Sequence, residues 1–170
     1  MTRRGQTVVL GITGVVTAAL FFLLAEGTLV LNGSTSLPHS GYLMLRWPQL
    51  LARGIYVAFA PPARLAEHFE GVSFIKRIVG VAGDRVATDG ETVCIAGTCR
   101  ALLPNLRAGG VLATTEGVIP EGFIAVFGDS PDSLDSRYAV VGLVPTAEVQ
   151  AAGIPVPMPH WTEVQRWLHG

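Results

Sequence analysis

Residues Gly5 to Ala25 (GQTVVLGITGVVTAALFFLLA) make 21 consecutive positions without a charge. At about 1.5 Å of rise per residue, a helix of that length crosses the ~30 Å hydrocarbon core of a bilayer. Such a run cannot sit in lipid as a loose strand, because there a helix satisfies its own backbone groups and an open strand does not. The chain is therefore expected to divide into a leading segment 1–4, a transmembrane anchor over 5–25 and one domain over 26–170. Arg3 and Arg4 precede the run and Glu26 follows it, so the excess of positive charge predicts a cytoplasmic leading segment and an exported domain. The competing reading is a cleavable leader. The run exceeds the ~7–15 apolar residues usual in leaders, and no clean Ala-x-Ala site follows, so a retained anchor is expected.

Beyond the anchor, short apolar runs rich in β-branched and aromatic residues alternate with Gly, Pro and Asp, a mainly β pattern. Strands are predicted at Tyr42 to Leu45, Ile55 to Phe59, Val72 to Val79, Arg85 to Ala87, Thr92 to Ile95, Gly117 to Ile119 and Phe123 to Phe127. Pro62 to Phe69 reads as a short helix with proline in its first turn. Gly153 to Pro159 reads as too proline-rich for a central strand. Trp161, Val164, Trp167 and Leu168 fall at helical spacing, as a docked terminal helix or a foot at the membrane interface. With 12 basic and 13 acidic residues and a net charge of -1, there is no basic field to hold nucleic acid. Cys94 and Cys99 flank a Gly-containing turn between two predicted strands; with no second Cys or His pair to complete a zinc set, an exported hairpin disulfide is expected.

Hydrolysis by a hydroxyl requires a nucleophile, a base and donors for the oxyanion. Histidine is poorly distributed for the base: His39 is three residues from Ser36, His68 lies in the predicted helix, and His160 and His169 lie in the tail. No G-x-S-x-G elbow occurs. Lysine is more informative, since 11 of the 12 basic residues are Arg and Lys76 is the sole lysine. Arg is never a base near neutral pH, whereas a lysine can be one where water is excluded. Strand alternation places Val72, Phe74, Lys76 and Ile78 on one face, so Lys76 points the apolar way. The bland alternative is a lysine snorkelling out from a strand edge.

Three separated motifs bear on that choice. Ser34-Thr35-Ser36-Leu37-Pro38 resembles the S-x-S-x-P signature of the signal peptidase I family, just after a membrane span. Lys76-Arg77-Ile78-Val79-Gly80-Val81-Ala82-Gly83-Asp84 fits its K-R-x-x-G-x-x-G-D pattern. Gly128-Asp129-Ser130 followed by Ser133-Leu134-Asp135-Ser136-Arg137 is similar to its G-D-N and S-x-D-S-R segment, with Ser130 in place of the usual Asn and a loop shorter by one residue. Arg53-Gly54-Ile55 resembles the start of the strand motif between the first two. The resemblance covers Leu24 to Gly142. Around Ser36 to Tyr42 it is closest to the TraF-type conjugative-transfer peptidases, with Gly41 one place later than in that branch.

The resemblance implies a signal-peptidase-like domain of coiled β-sheet or small barrels, held by one N-terminal helix on the periplasmic side of a bacterial inner membrane. It implies a serine endopeptidase with Ser36 as nucleophile and Lys76 as general base. Ser34 joins the Ser36 N–H at the oxyanion, Ser133 orients the lysine, and the pairs Asp135 with Arg137 and Asp129 with Arg77 buttress the site. No metal or organic cofactor is implied. The expected partners are the bilayer and an exported, membrane-held substrate: a conjugative pilin precursor, with possible cyclisation of the product, or preproteins in general if this is a general type I enzyme. A non-catalytic membrane-anchored β scaffold is the reading outside enzymes.

Overall fold

The computed structural model describes residues 3–32, 36–47 and 49–158, the side chains of 3–7 excepted. Helix α1 (Arg3–Glu26) carries the uncharged run. Its segment Val8–Glu26 has a mean hydropathy of 2.5 and is long and apolar enough to span a membrane, with none of it buried against the rest of the protein. The helix passes into strand β1 without a linker. At the junction, the Arg46 guanidinium donates to the Ala25 carbonyl at 2.6 Å and the Arg46 N–H to the Glu26 carbonyl at 3.0 Å. A cation thereby meets the free carbonyls and negative end of the helix.

Eleven strands follow among the described residues: β1 (Gly27–Leu31), β2 (Gly41–Leu45), β3 (Tyr56–Phe59), β4 (Phe74–Gly80), β5 (Arg85–Thr88), β6 (Thr92–Ile95), β7 (Thr98–Ala101), β8 (Gly117–Val118), β9 (Phe123–Phe127), β10 (Val144–Pro145) and β11 (Val149–Val156). A short helix α2 (Pro104–Ala108) with proline in its first turn interrupts them. A seven-stranded sheet runs β1-β2-β11-β3-β4-β9-β10, and a four-stranded sheet runs β7-β6-β5-β8. The fold is mainly β, as the run pattern predicts. One apolar cluster, including Val57, Phe59, Ile78, Ile124 and Val126, fills the larger sheet. A second, including Val79, Val86, Ile95, Ile119, Phe127 and Tyr138, joins the two sheets. A third, with Leu37, Tyr42, Met44 and Tyr56, lies under the segment that carries Ser36.

Three local expectations are corrected. Residues 62–69 yield only one 3-10 turn, Ala66–His68, with none of its residues buried; a single turn adds too few bonds to offset its costly nucleation, and the flanking Leu65 and Phe69 pack against the core. The proline-rich tail is not peripheral, because β11 lies between β2 and β3. Its pairing to β3 ends at Gly153, so Pro155, opposite Tyr42, has a ladder partner on one side only. A missing N–H is tolerated at such an edge-like position. Val72 does not share the buried face of β4: it precedes the strand and is 51% exposed. The stripe of Trp161 to Leu168 lies outside the described residues.

Candidate active site

Lys76 occupies the middle of β4, opposite Val57 of β3, on the face it shares with buried Phe74 and Ile78. Strand alternation forces this orientation, and only 6% of Lys76 remains exposed. Among the described residues its amine end has one side-chain hydrogen-bond partner, donating from Nζ to the Ser133 Oγ at 2.9 Å, and it lies 5.6 Å from the centre of the Phe74 ring. Burial lowers the Lys76 pKa, with the Asp135 charge opposing that shift and Arg137 adding to it. Desolvation is the dominant cause because the charged amine loses its water and, among the described residues, gains no adjacent carboxylate ligand.

Ser36, Lys76 and Ser133 line one cleft of about 540 Å³, whose walls include Leu31, Leu37, Phe74, Asp132 and Leu134. The Ser36 carbonyl accepts the Asp129 N–H at 2.9 Å and the Ser130 N–H at 3.2 Å. The turn after β9 thus holds the backbone of the serine from behind. Asn32 closes the same segment in front, donating from Nδ2 to the carbonyls of Leu37 at 3.0 Å and His39 at 3.1 Å. Ser34, expected at the oxyanion, lies outside the described residues.

Asp135 and Arg137 form a buried pair, 0% and 1% exposed. The Arg137 Nε donates to Asp135 Oδ1 at 2.9 Å and Nη2 to Oδ2 at 3.1 Å. Its remaining donors reach the carbonyls of Ser133 at 2.7 Å, Ala101 at 2.9 Å and Pro131 at 3.1 Å. All five guanidinium hydrogens are used. The Asp135 carboxylate also accepts the backbone N–H groups of Gly128 at 2.9 Å and Arg137 at 3.1 Å. A buried ion pair offsets its desolvation only when its other lone pairs and protons are satisfied in this way. Arg137 also grips the Ser133 carbonyl, so the pair fixes the residue that meets Lys76. The second expected pair also forms: the Arg77 Nη2 reaches Asp129 Oδ1 at 2.6 Å, nearer the surface.

Two contributors escaped the sequence reading. Gly128 has no side chain because a Cβ there would run into the Ser133 hydroxyl and come 3.1 Å from the Ser36 carbonyl oxygen. Its place in G-D-S was visible, but not its neighbours. Tyr56 donates to Asp129 Oδ2 at 3.2 Å across 73 residues of sequence separation, and nothing local signals that contact. Cys94 and Cys99 stand opposite one another on β6 and β7 and are joined in a disulfide with Cα atoms 4.0 Å apart, as the hairpin spacing predicts. Among the described residues, no three His, Cys, Asp or Glu side chains converge so as to hold a metal ion.

The family model described as signal peptidase, peptidase S26, matches residues 2–156. Among solved structures, the chain is similar to a signal peptidase I from Enterococcus faecalis V583: 26% identity over 64% of this chain and 98% of that one, with a TM-score of 0.38. No curated protein matches it significantly.

Proposed function

The chain belongs to the signal peptidase family, peptidase S26, serine peptidases that cleave preproteins, and from that membership and the cleft we propose a Ser/Lys dyad of Ser36 and Lys76. The observation that carries the reading is Lys76, a buried lysine with a lowered pKa in the same cleft as Ser36. Donation from Nζ to Ser133 leaves the lone pair of a neutral amine available to a neighbour. Lys76 takes the Ser36 proton as its oxygen bonds to the scissile carbonyl carbon. The Ser36 N–H and the Ser34 hydroxyl bind the oxyanion. Lys76 then returns the proton to the leaving amine as the C–N bond breaks, and an acyl-enzyme remains for water or an amine of the substrate. Ser133 orients Lys76, and the pairs Asp135 with Arg137 and Asp129 with Arg77 support the two halves of the site.

In this reading α1 is a retained anchor, with residues 1–4 in the cytoplasm and the β domain on the periplasmic side of the inner membrane. The direct passage of α1 into β1 keeps the cleft near the lipid surface and favours precursors that are themselves membrane-held. The stretch Ser36 to Tyr42, with its TraF-type resemblance, and a small second sheet of four strands favour a conjugative pilin precursor as substrate, its acyl-enzyme captured by an amine of the pilin to give a ring. Mass spectrometry of pilin precursor co-expressed with the protein tests this. Cleaved pilin, with a mass loss of one water if cyclised, is expected. An untouched pilin beside efficient cleavage of ordinary preproteins assigns a general signal peptidase. Failure on both substrates assigns a non-catalytic scaffold.

A further inference from the structure

Both Arg77 and Arg137 pair with an aspartate, but the two contacts differ in kind. Arg137 binds both oxygens of Asp135 through a fork, which fixes the carboxylate plane. Arg77 reaches Asp129 through Nη2 alone, and its buried Nε has no hydrogen-bond partner among the described residues. A single-pronged contact leaves a carboxylate free to swing about it. The other Asp129 oxygen is held by the Tyr56 hydroxyl at 3.2 Å.

Tyr56 stands directly opposite Arg77 across β3 and β4, so the two side chains rise together and meet the carboxylate from neighbouring strands. The ring is 6% exposed and lies 4.8 Å, centre to centre, from that of Tyr42, which limits its movement. Burial and the Asp129 charge raise the Tyr56 pKa above the ordinary tyrosine value, so its hydroxyl is a donor throughout the neutral range. Asp129 is also the residue whose backbone N–H holds the Ser36 carbonyl at 2.9 Å.

We propose that Tyr56 is a positioning residue for the nucleophile: its hydroxyl completes the grip on Asp129, and that grip holds the turn whose amides hold Ser36. The inference rests on the assignment of Ser36 as nucleophile. It explains why a tyrosine hydroxyl is spent at Asp129 and none is needed at Asp135, where the arginine fork and backbone N–H groups already hold both oxygens.

The test is the full-length protein in detergent with a preprotein substrate, comparing wild type, Tyr56→Phe, Asp129→Asn and the double variant, with Ser36→Ala as control. Tyr56→Phe keeps the ring and should lower kcat about three- to tenfold, the scale of one lost charge-assisted hydrogen bond only partly transmitted to Ser36. KM should stay within about twofold, and the acid midpoint of the rate should not move, because Lys76 keeps its surroundings. Asp129→Asn disturbs the same link without touching the ring and should show the same split of kcat from KM, with the acid midpoint moved down because the Asp129 charge opposes the lowering of the Lys76 pKa. The double variant should lose little more than the worse single one. An unchanged kcat per folded molecule in Tyr56→Phe, a loss confined to thermal stability, or additive losses in the double variant overturn the positioning role while leaving Ser36 in place. Full activity of Ser36→Ala removes the nucleophile assignment and the positioning role together.

Discussion

The Nζ of Lys76 donates to the Ser133 Oγ at 2.9 Å, and with both residues buried this contact sets the orientation of the proposed base. Because burial lowers the Lys76 pKa, the neutral amine exists above the lowered value and is lost as pH falls through it. The rate should therefore decline on the acid side with an apparent midpoint below the ~10.4 of an exposed lysine. Replacing His39 or His68 should leave that midpoint in place. A pH profile of kcat/KM for the three proteins checks this.

The same lowered pKa has a consequence for stability. Between the folded and unfolded values the unfolded chain binds the extra proton, so stability falls as pH falls through that window, by about 1.4 kcal/mol per pH unit from this group. Lys76→Met removes the titration and should be inactive, yet at neutral pH at least as stable as wild type. Urea denaturation of both proteins at several pH values reads the difference.

Gly128 is required by proximity rather than by backbone conformation, since a Cβ would collide with Ser133. Gly128→Ala should displace the Ser133 hydroxyl and lower kcat by about 10- to 100-fold, the penalty of an ångström-scale misplacement at a reacting group. Steady-state kinetics beside a thermal melt separates this from simple unfolding.

The Asp135 and Arg137 pair should behave as a buried network. Removing one member, as in Arg137→Met, leaves an uncompensated carboxylate and should cost about 3–5 kcal/mol of stability. The disulfide should matter far less. Cys94 and Cys99 are five residues apart, a loop too short to restrain much unfolded-chain entropy. Replacing both with Ser should cost less than the ~2–4 kcal/mol typical of disulfides. Denaturation midpoints of the two variants give both numbers.

The legibility of the sequence follows the range of the interactions. The apolar helix, the alternation that turns Lys76 inward and the Cys94 to Cys99 hairpin are local patterns, and each is present in the fold. The buried pair Asp135 and Arg137 lies within one motif and could be anticipated as a pair, though not as a fully satisfied one. β11 departs from the expectation because the cost of Pro155 depends on where β3 begins, a lateral fact absent from the local sequence. Val72 reads as part of β4 because the apolar run continues past the point where pairing with β3 ends at Phe74. Tyr56 is illegible for the same kind of reason: on its own strand it reads as one more core aromatic, and its partner is 73 residues away.

The central claim is that Ser36 and Lys76 act as one unit, and the most direct measurement is the cleavage rate of a preprotein by Ser36→Ala, Lys76→Arg and the double variant, each matched to wild type in thermal stability. Lys76→Arg puts a permanent cation where the neutral amine is required and cannot accept a proton. Members of a catalytic unit lose activity non-additively, so each single variant should fall by about a thousandfold or more and the double variant no further. Retention of more than about a tenth of wild-type activity by either single variant would contradict the dyad.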